Sequence, residues 1–301
     1  MSYKNTCKIF GSNFVLVWKQ LAYLLISTLV CVGLSYLIAM PTITLLTEKG
    51  WIDSVKNIFE TVYTSPASLN AAFKEVILNL IQILSSNFGA YFFSIVGFII
   101  SAVLLPLFLN NIAEYTIVSL ATNKISSNVK LGYTSTLLTN LGRAVLYALL
   151  KMIIDVLFII CSICLFCVYL ILSDGTLLTV LMLVIYSALS LMLSSVKMAL
   201  TASFAPKMIE ENMGAWKAFI NSGKMSGRAF LRTLSCSIVV MLTVMFANMF
   251  LGVFTIGVAL LITVPASVVF IGIFKTTNYF TIECKSYYLS DSIIVEPKKP
   301  N

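Results

Sequence analysis

The sequence predicts an all-α polytopic membrane protein with six transmembrane helices and both termini cytoplasmic. Three observations predict it: long apolar runs, a scarcity of charge, and connecting segments that alternate between basic and balanced. Of 301 residues, 59% are hydrophobic and 11% are charged, whereas a soluble domain carries about a quarter charged. The mean hydropathy is +0.98. Too few polar side chains remain to clothe a water-facing surface, so lipid must cover much of it.

A bilayer core about 30 Å thick needs roughly 20 apolar residues per helix. The runs 18–40, 90–112, 150–172, 176–197, 233–253 and 256–276 meet that requirement. The first is too long for a cleavable signal and has no small-residue cleavage site before Pro41. Residues 41–89 then form an external loop. In it Trp51, Ile52, Val55, Ile58, Phe59 and Val62 recur at helical spacing, as do Phe73, Val76, Ile77, Leu80, Ile81 and Leu84. Both stretches predict helices lying in the outer interface. Ser65-Pro66 separates them, and Ser85-Ser86-Asn87 with Gly89 precedes the second crossing. The fourth crossing is small on one side, at Ser187, Ala188, Ser190, Ser194 and Ser195. Small residues permit close approach, so this helix is expected at the centre of the bundle. Pro106 and Pro265 lie inside crossings, where each removes a backbone hydrogen bond and tends to kink the helix. Residues 198–232 form a basic cytoplasmic loop, and residues 1–289 one membrane domain. The polar segment 290–301, ending Pro-Lys-Lys-Pro-Asn, is expected to be a disordered cytoplasmic tail.

Orientation follows from Lys and Arg. The N-terminal arm carries Lys4, Lys8 and Lys19 without an acid, and the second loop Lys124, Lys130 and Arg143. The fourth loop sets Lys207, Lys217, Lys224, Arg228 and Arg232 against Glu210 and Glu211, and the tail carries Lys298 and Lys299. The first loop balances Lys49, Lys56 and Lys74 against Glu48, Asp53, Glu60 and Glu75; the third offers only Asp174 and the fifth no charge. Even loops are therefore cytoplasmic, in a multi-pass protein of the cell membrane. The net charge of +8 is an orientation signal with some affinity for anionic headgroups of the lipid bilayer, and nucleic acid is not an expected partner.

A short motif recurs. Three times an amphipathic cytoplasmic helix precedes an odd crossing: Cys7-Lys8-Ile9-Phe10-Gly11, Thr136-Leu137-Leu138-Thr139-Asn140 and Ala218-Phe219-Ile220-Asn221-Ser222. Ser119-Leu120-Ala121 and Ser203-Phe204-Ala205 are followed, 23 and 24 residues after their Ser, by Gly-Arg-Ala at 142–144 and 227–229. Parallel helical-hairpin repeats of this kind occur in some transporters. The stretch Phe204-Ala205-Pro206-Lys207-Met208-Ile209, with Glu210-Glu211, Gly214, Lys217-Ala218-Phe219 and Ser222, resembles a recurring pattern in uncharacterised bacterial multi-span proteins. These are the YciC-like family and the membrane domain found ahead of some glycerophosphodiester phosphodiesterases. The resemblance covers under a quarter of the chain. It implies a bacterial source, which the excess of Lys over Arg also favours. It brings no catalytic residues and, without the soluble phosphodiesterase domain, no hydrolytic activity.

Charge near mid-bilayer costs about 2.5–3.5 kcal/mol on insertion scales, so each instance needs a reason. Asn110, Asn111 and Glu114 follow Pro106 in the second crossing. Lys151 and Asp155 of the third stand at the i, i+4 spacing that lets them pair. The fourth crossing ends with Ser194, Ser195 and Lys197, and the sixth with Lys275. Glu114, Lys197 and Lys275 fall at similar depths in the even helices. One reading is an interfacial ion-pair ring with lysine stems snorkelling to headgroups. The other is a polar cavity open to the cytosol, formed by Asn110, Asn111, Glu114, Lys151, Asp155 and Lys197. Asn248, deeper in the fifth helix, has no obvious partner.

Other chemistry is missing. There is no histidine, which removes the commonest general base and nitrogen ligand. Gly223-Lys224-Met225 lacks the hydroxyl a nucleotide-binding loop places at magnesium. Cys161, Cys164 and Cys167 sit on an apolar helix and read as packing residues, since three thiolates in hydrocarbon would be costly. Glu210 and Glu211 read as a solvated helix start. No cofactor, metal or enzymatic activity is expected. The expected function is transport or permease-type. Trp216, in the helix around 213–220, offers a docking point for a cytosolic ATPase. The alternative is a non-transporting integrity, immunity or regulatory protein acting on another membrane protein through helix contacts.

Overall fold

Among the described residues, six helices of the computed structural model are long and apolar enough to cross a membrane: Val15–Glu48, Phe88–Ser127, Leu141–Leu172, Leu181–Glu210, Gly227–Phe254 and Leu260–Ile282. The protein is therefore an all-α polytopic membrane protein. The structure describes residues 2–64, 69–127, 131–172, 176–290 and 293–295. Ser65-Pro66, Lys130, Asp174, Lys298, Lys299 and the end of the expected tail lie outside the described residues.

In chain order the helices are α1 (Ser2–Ser12), α2 (Val15–Glu48), α3 (Trp51–Thr64), α4 (Leu69–Ser86) and α5 (Phe88–Ile99). A π-helical turn, Ile100–Leu104, leads into α6 (Leu105–Ser127). Next come α7 (Tyr133–Thr139), α8 (Leu141–Leu172), α9 (Thr176–Thr201), α10 (Phe204–Glu210) and α11 (Ala215–Gly223). The last helices are α12 (Gly227–Phe254) and α13 (Leu260–Ile282). The π turn has a local cause. Pro106 has no N–H to donate and crowds the preceding turn, and the Leu105 N–H bonds the Ile100 carbonyl five residues back. Pro41, by contrast, is absorbed inside α2, so the first crossing runs on to Glu48 and the following loop starts later than residue 41. Left-handed Ile256 and Gly257, at φ 51° and 85°, turn the chain between α12 and α13, so the sixth crossing begins later than residue 256.

The chain divides into two compact units. The first comprises Met1–Ser27, Leu107–Ile159 and Leu191–Asn301. Its centre is α13, whose most apolar window is 44% buried, against 11% for the fourth crossing. The expectation of a central fourth helix is thus corrected. Ser187 and Ser195 return their hydroxyls to the Val184 and Leu191 carbonyls of their own helix, so they need no neighbour. On α13, Gly272 lets α6 approach closely; a Cβ there would stand 2.6 Å from Ile117 Cγ2. Helix α1 lies on α13 through Thr6 and Thr277, which share a 2.7 Å hydrogen bond, and through Tyr3 against Phe270. The basic connection 198–232 holds α10 and α11, the second of them where a short helix was expected. Phe204, Ala205, Met208 and Ala218 of α10 and α11 are buried with Tyr115, Tyr147 and Ala148. Apolar surface at helical spacing in that stretch has a place to go.

The short helices α1, α7 and α11 each precede a long one. Two of those corners are built alike. Asn13 Nδ2 donates to the Ile9 carbonyl (2.8 Å) and to Ser12 Oγ (3.0 Å). Asn140 Nδ2 donates to the Thr136 carbonyl (3.1 Å) and to Thr139 Oγ1 (3.5 Å). In each case the amide returns to a carbonyl in the last turn of the ended helix. Asn87 repeats the arrangement at the α4–α5 corner, with Ile83 and Ser86.

The second unit comprises Thr28–Pro106 and Ile160–Ser190. Its α3 and α4 do not simply expose their apolar faces. Trp51 Nε1 donates to the Val76 carbonyl at 3.0 Å, and Ile58, Val76 and Ile83 are buried, while Phe59, Leu78 and Ile81 remain exposed. Thr42 Oγ1 donates to Ser94 Oγ (2.7 Å), which donates to the Ile38 carbonyl (2.8 Å). Cys161, Cys164 and Cys167 of α8 are exposed and free, so they face outward rather than serve as packing residues. A step of three residues drifts around the helix and never builds a buried stripe. After α13, Tyr287–Ser290 and Ile293–Val295 pair as an antiparallel hairpin, β1 and β2. These β-branched and aromatic residues stand where an unstructured tail was expected to begin.

Candidate functional site

Four helices of the first unit place charged side chains at one point. On α8, Tyr147, Lys151 and Asp155 stand four residues apart and share a face. On α6, Asn111 and Glu114 are three apart; on α9, Lys197 and Thr201 are four apart; α13 brings Lys275. The close approach at Gly272 explains the last arrival. Gly272 lets α13 lie against α6 at Ile117, and the long Lys275 side chain, one turn further along α13, spans the remaining distance back to Glu114.

Lys151 uses all its donors. Its Nζ is 2.6 Å from Asn111 Oδ1, 3.0 Å from Asp155 Oδ2 and 3.2 Å from Glu114 Oε2. Asn111 relays, donating its amide to Asp155 Oδ2 at 2.8 Å. Lys275 Nζ donates to Glu114 Oε1 at 2.6 Å and to Thr201 Oγ1 at 3.1 Å. Tyr147 donates its hydroxyl to the same Glu114 oxygen at 2.6 Å. Lys197 completes the set by an ion pair with Asp155 Oδ1 at 3.4 Å, and that oxygen accepts no hydrogen bond. Three ammonium groups thus face two carboxylates, a formal excess of one positive charge.

Water is nearly excluded. The side chains of Lys275, Lys151 and Asp155 are 3%, 8% and 2% exposed, that of Glu114 is 13%, and Lys197, at 33%, is the most open. Lys151 and Lys275 therefore turn inward and do not snorkel. Taking each ion out of water costs several kcal/mol even after relaxation. The many charge-assisted hydrogen bonds offset that cost. The ring of Tyr147 is packed between Tyr115 and Phe204, at centroid distances of 5.4 and 4.7 Å, and Phe219 backs Phe204. Phe204 and Phe219 are thus apolar packing against one side of the network.

Of the residues expected to line a cavity, Asn111, Glu114, Lys151, Asp155 and Lys197 come together. Asn110 does not; it is exposed, one residue and about 100° of helix away from Asn111. Lys275, Tyr147 and Thr201 complete the network. Tyr147 and Thr201 had a legible signal, a spacing of four from Lys151 and Lys197. Lys275 had depth alone.

Two other expectations change. Asn248 is partnered, donating to Ser267 Oγ at 3.0 Å. Glu210 and Glu211 do not start a helix; they close α10, where Glu211 Oε1 accepts from Tyr279 (2.5 Å) and Glu210 lies 4.0 Å from Lys285. Left-handed Asn212 follows, accepting a short hydrogen bond from Arg143 at the start of α8.

No protein-family model, no curated protein and no solved structure matches this chain.

Proposed function

We propose that this integral membrane protein is of transport or permease type, and that the buried charge network is the latch its transport cycle opens. The observation that carries the reading is five ionisable side chains joining α6, α8, α9 and α13, almost without water. Well-packed apolar residues hold helices together as firmly as a buried ion-pair network, often more so. Ionisable residues inside membrane helices commonly mark pathways for ions, protons or substrates. The π turn and Pro106 lie within two turns of Asn111, a suitable place for α6 to bend. Short helices ahead of α2, α8 and α12, with Gly-Arg-Ala at the starts of α8 and α12, support three parallel hairpin repeats.

The direct test is transport by protein reconstituted in vesicles. Glu114→Gln and Asp155→Asn should each abolish flux while abundance in the membrane persists. Flux unchanged in both would remove the latch. An ATPase-coupled version is favoured by α11, where Trp216 is 62% exposed beside the partly exposed Ile220. It predicts copurification with a nucleotide-binding subunit that Trp216→Ala abolishes. The non-transporting alternative predicts no flux from any variant and a stable complex with another membrane protein.

We place the protein in a bacterial cell membrane with both termini cytoplasmic, from the distribution of Lys and Arg. Amine reagents that cannot cross a bilayer should reach Lys56 and Lys74 in intact cells and miss Lys217 and Lys224. The reverse pattern would invert the orientation.

A further inference from the structure

Resting on the latch proposed above, we infer that the species whose arrival opens the network is a monovalent carboxylate, which takes Lys197 in exchange for Asp155. Charge is the first reason. Glu114 is the one acid of α6 and Asp155 the one acid of α8, while α9, α12 and α13 carry none. Lys151 and Lys275, both turned inward, balance the two carboxylates, and Lys197 is the surplus cation. A third positive charge at so dry a place is poorly compensated. It repels a second cation, and one negative charge completes the balance.

Geometry picks the position. Asp155 Oδ2 holds Lys151 at 3.0 Å and the Asn111 amide at 2.8 Å, whereas Oδ1 faces Lys197 at 3.4 Å without accepting a hydrogen bond. Lys197 thus makes the longest ion pair of the network. It is also the most open of the charged groups, one turn before α9 ends at Thr201. When Lys197 turns to an arriving carboxylate, Asp155 keeps Lys151 and Asn111, and Glu114 keeps Lys275. The four remaining charges cancel, so the exchange strands no buried ion. What it breaks is the ion pair tying α9 to α8, which leaves α9 held through Thr201, the acceptor for Lys275. A carboxylate suits the exchange because Lys197 already pairs with one, and a monovalent one because the surplus is a single charge. Binding and opening are then one event.

The test uses the purified full chain in detergent. Sodium acetate, a minimal carboxylate, replaces sodium chloride at constant ionic strength, and binding is read as a rise in unfolding temperature. Wild type should show a saturable rise. Lys197→Gln should lose it and Lys197→Arg keep it, while Lys56→Gln, which removes a charge in the second unit, should match wild type. Asp155→Asn removes the competing carboxylate and should lower the half-saturating acetate concentration about tenfold. No rise in wild type, or the same rise in Lys197→Gln, overturns the site. Unchanged or weakened acetate affinity in Asp155→Asn overturns the exchange. If Lys197→Gln does not fold, Lys197→Arg and Asp155→Asn decide the matter. Reconstituted vesicles separate this inference from the reading beneath it. Acetate binding with no flux removes transport and leaves the exchange in place; flux of a cation from protein that ignores acetate leaves transport in place and removes the exchange.

Discussion

The two compact units hold helices together with different chemistry. In the first, Glu114, Lys151, Asp155, Lys197 and Lys275 form a shared network inside the membrane spans. In the second, the polar contacts described inside the spans are hydroxyls, Thr42 to Ser94 and Ser94 to the Ile38 carbonyl. Its aromatic contacts, Phe166, Tyr169 and Tyr186, join α8 to α9 with no charge. Its described ion pair, Lys56–Asp53, lies on an open face of α3, with both side chains about seven-tenths exposed. Hydroxyl and aromatic contacts pack the helices here, and the proposed latch predicts that the charges of the first unit answer a requirement other than packing. That difference locates the candidate site more firmly than any one residue does.

The largest expected effect breaks the network. Glu114→Ala strands Lys151 and Lys275 and should cost about 3–5 kcal/mol, read as a fall in unfolding temperature in detergent. Asp53→Ala, its counterpart in the second unit, should stay within about 0.5 kcal/mol. Comparable losses would erase the contrast between the units. A pairwise replacement, Glu114→Leu with Lys275→Met, should recover much of the stability and none of the transport.

Glycine contacts sharpen the comparison at the next level. A Cβ at Gly272 would meet Ile117, which is fully buried, and one at Gly97 would meet Ile38, which is 38% exposed. Ile38 can rotate toward open space and Ile117 cannot. Gly272→Ala should therefore destabilise by about 1–3 kcal/mol, and Gly97→Ala by clearly less. Because Gly272 also sets the reach of Lys275 to Glu114, its variant should impair flux as well. Calorimetric scans of the two variants side by side decide the order.

Smaller effects belong to single hydrogen bonds. Tyr133, at the start of α7, donates to Gln20 Oε1 at 2.9 Å, and Tyr133→Phe should cost about 1 kcal/mol. Burial raises the Tyr133 hydroxyl above its ordinary value. Its contribution is present below about pH 10, the ordinary tyrosine value, and is lost as pH rises further, because the unfolded chain ionises first. Wild type should lose stability on alkaline titration more steeply than the Phe variant; parallel curves would exclude Tyr133 as the cause. Replacing Cys161, Cys164 and Cys167 together with Ala should change the unfolding temperature least of all, since all three are exposed.

The spans were legible because lipid demands a length and a composition, and both are written along the chain. The pairing of Lys151 with Asp155 was legible as well, since a helix fixes neighbours four residues apart. The split between Asn110 and Asn111 was not. Adjacent residues differ by about 100° around a helix, and only the neighbouring helices decide which side faces inward. Asn248 met Ser267 for the same reason, through the α12–α13 contact. The helices α10 and α11 show the limit from the other side. Their basic residues marked a cytoplasmic connection with one short helix, whereas Phe204 and Met208 described a core that needed Tyr147 to exist.

The sequence by itself determined an all-α chain that crosses a membrane, because apolar length and local helical spacing are properties of single segments. Only the tertiary structure decided that α13 is central, that Lys275 reaches Glu114, and that the lysines turn inward. Those outcomes depend on how closely two helices approach, and one missing Cβ at Gly272 sets that distance.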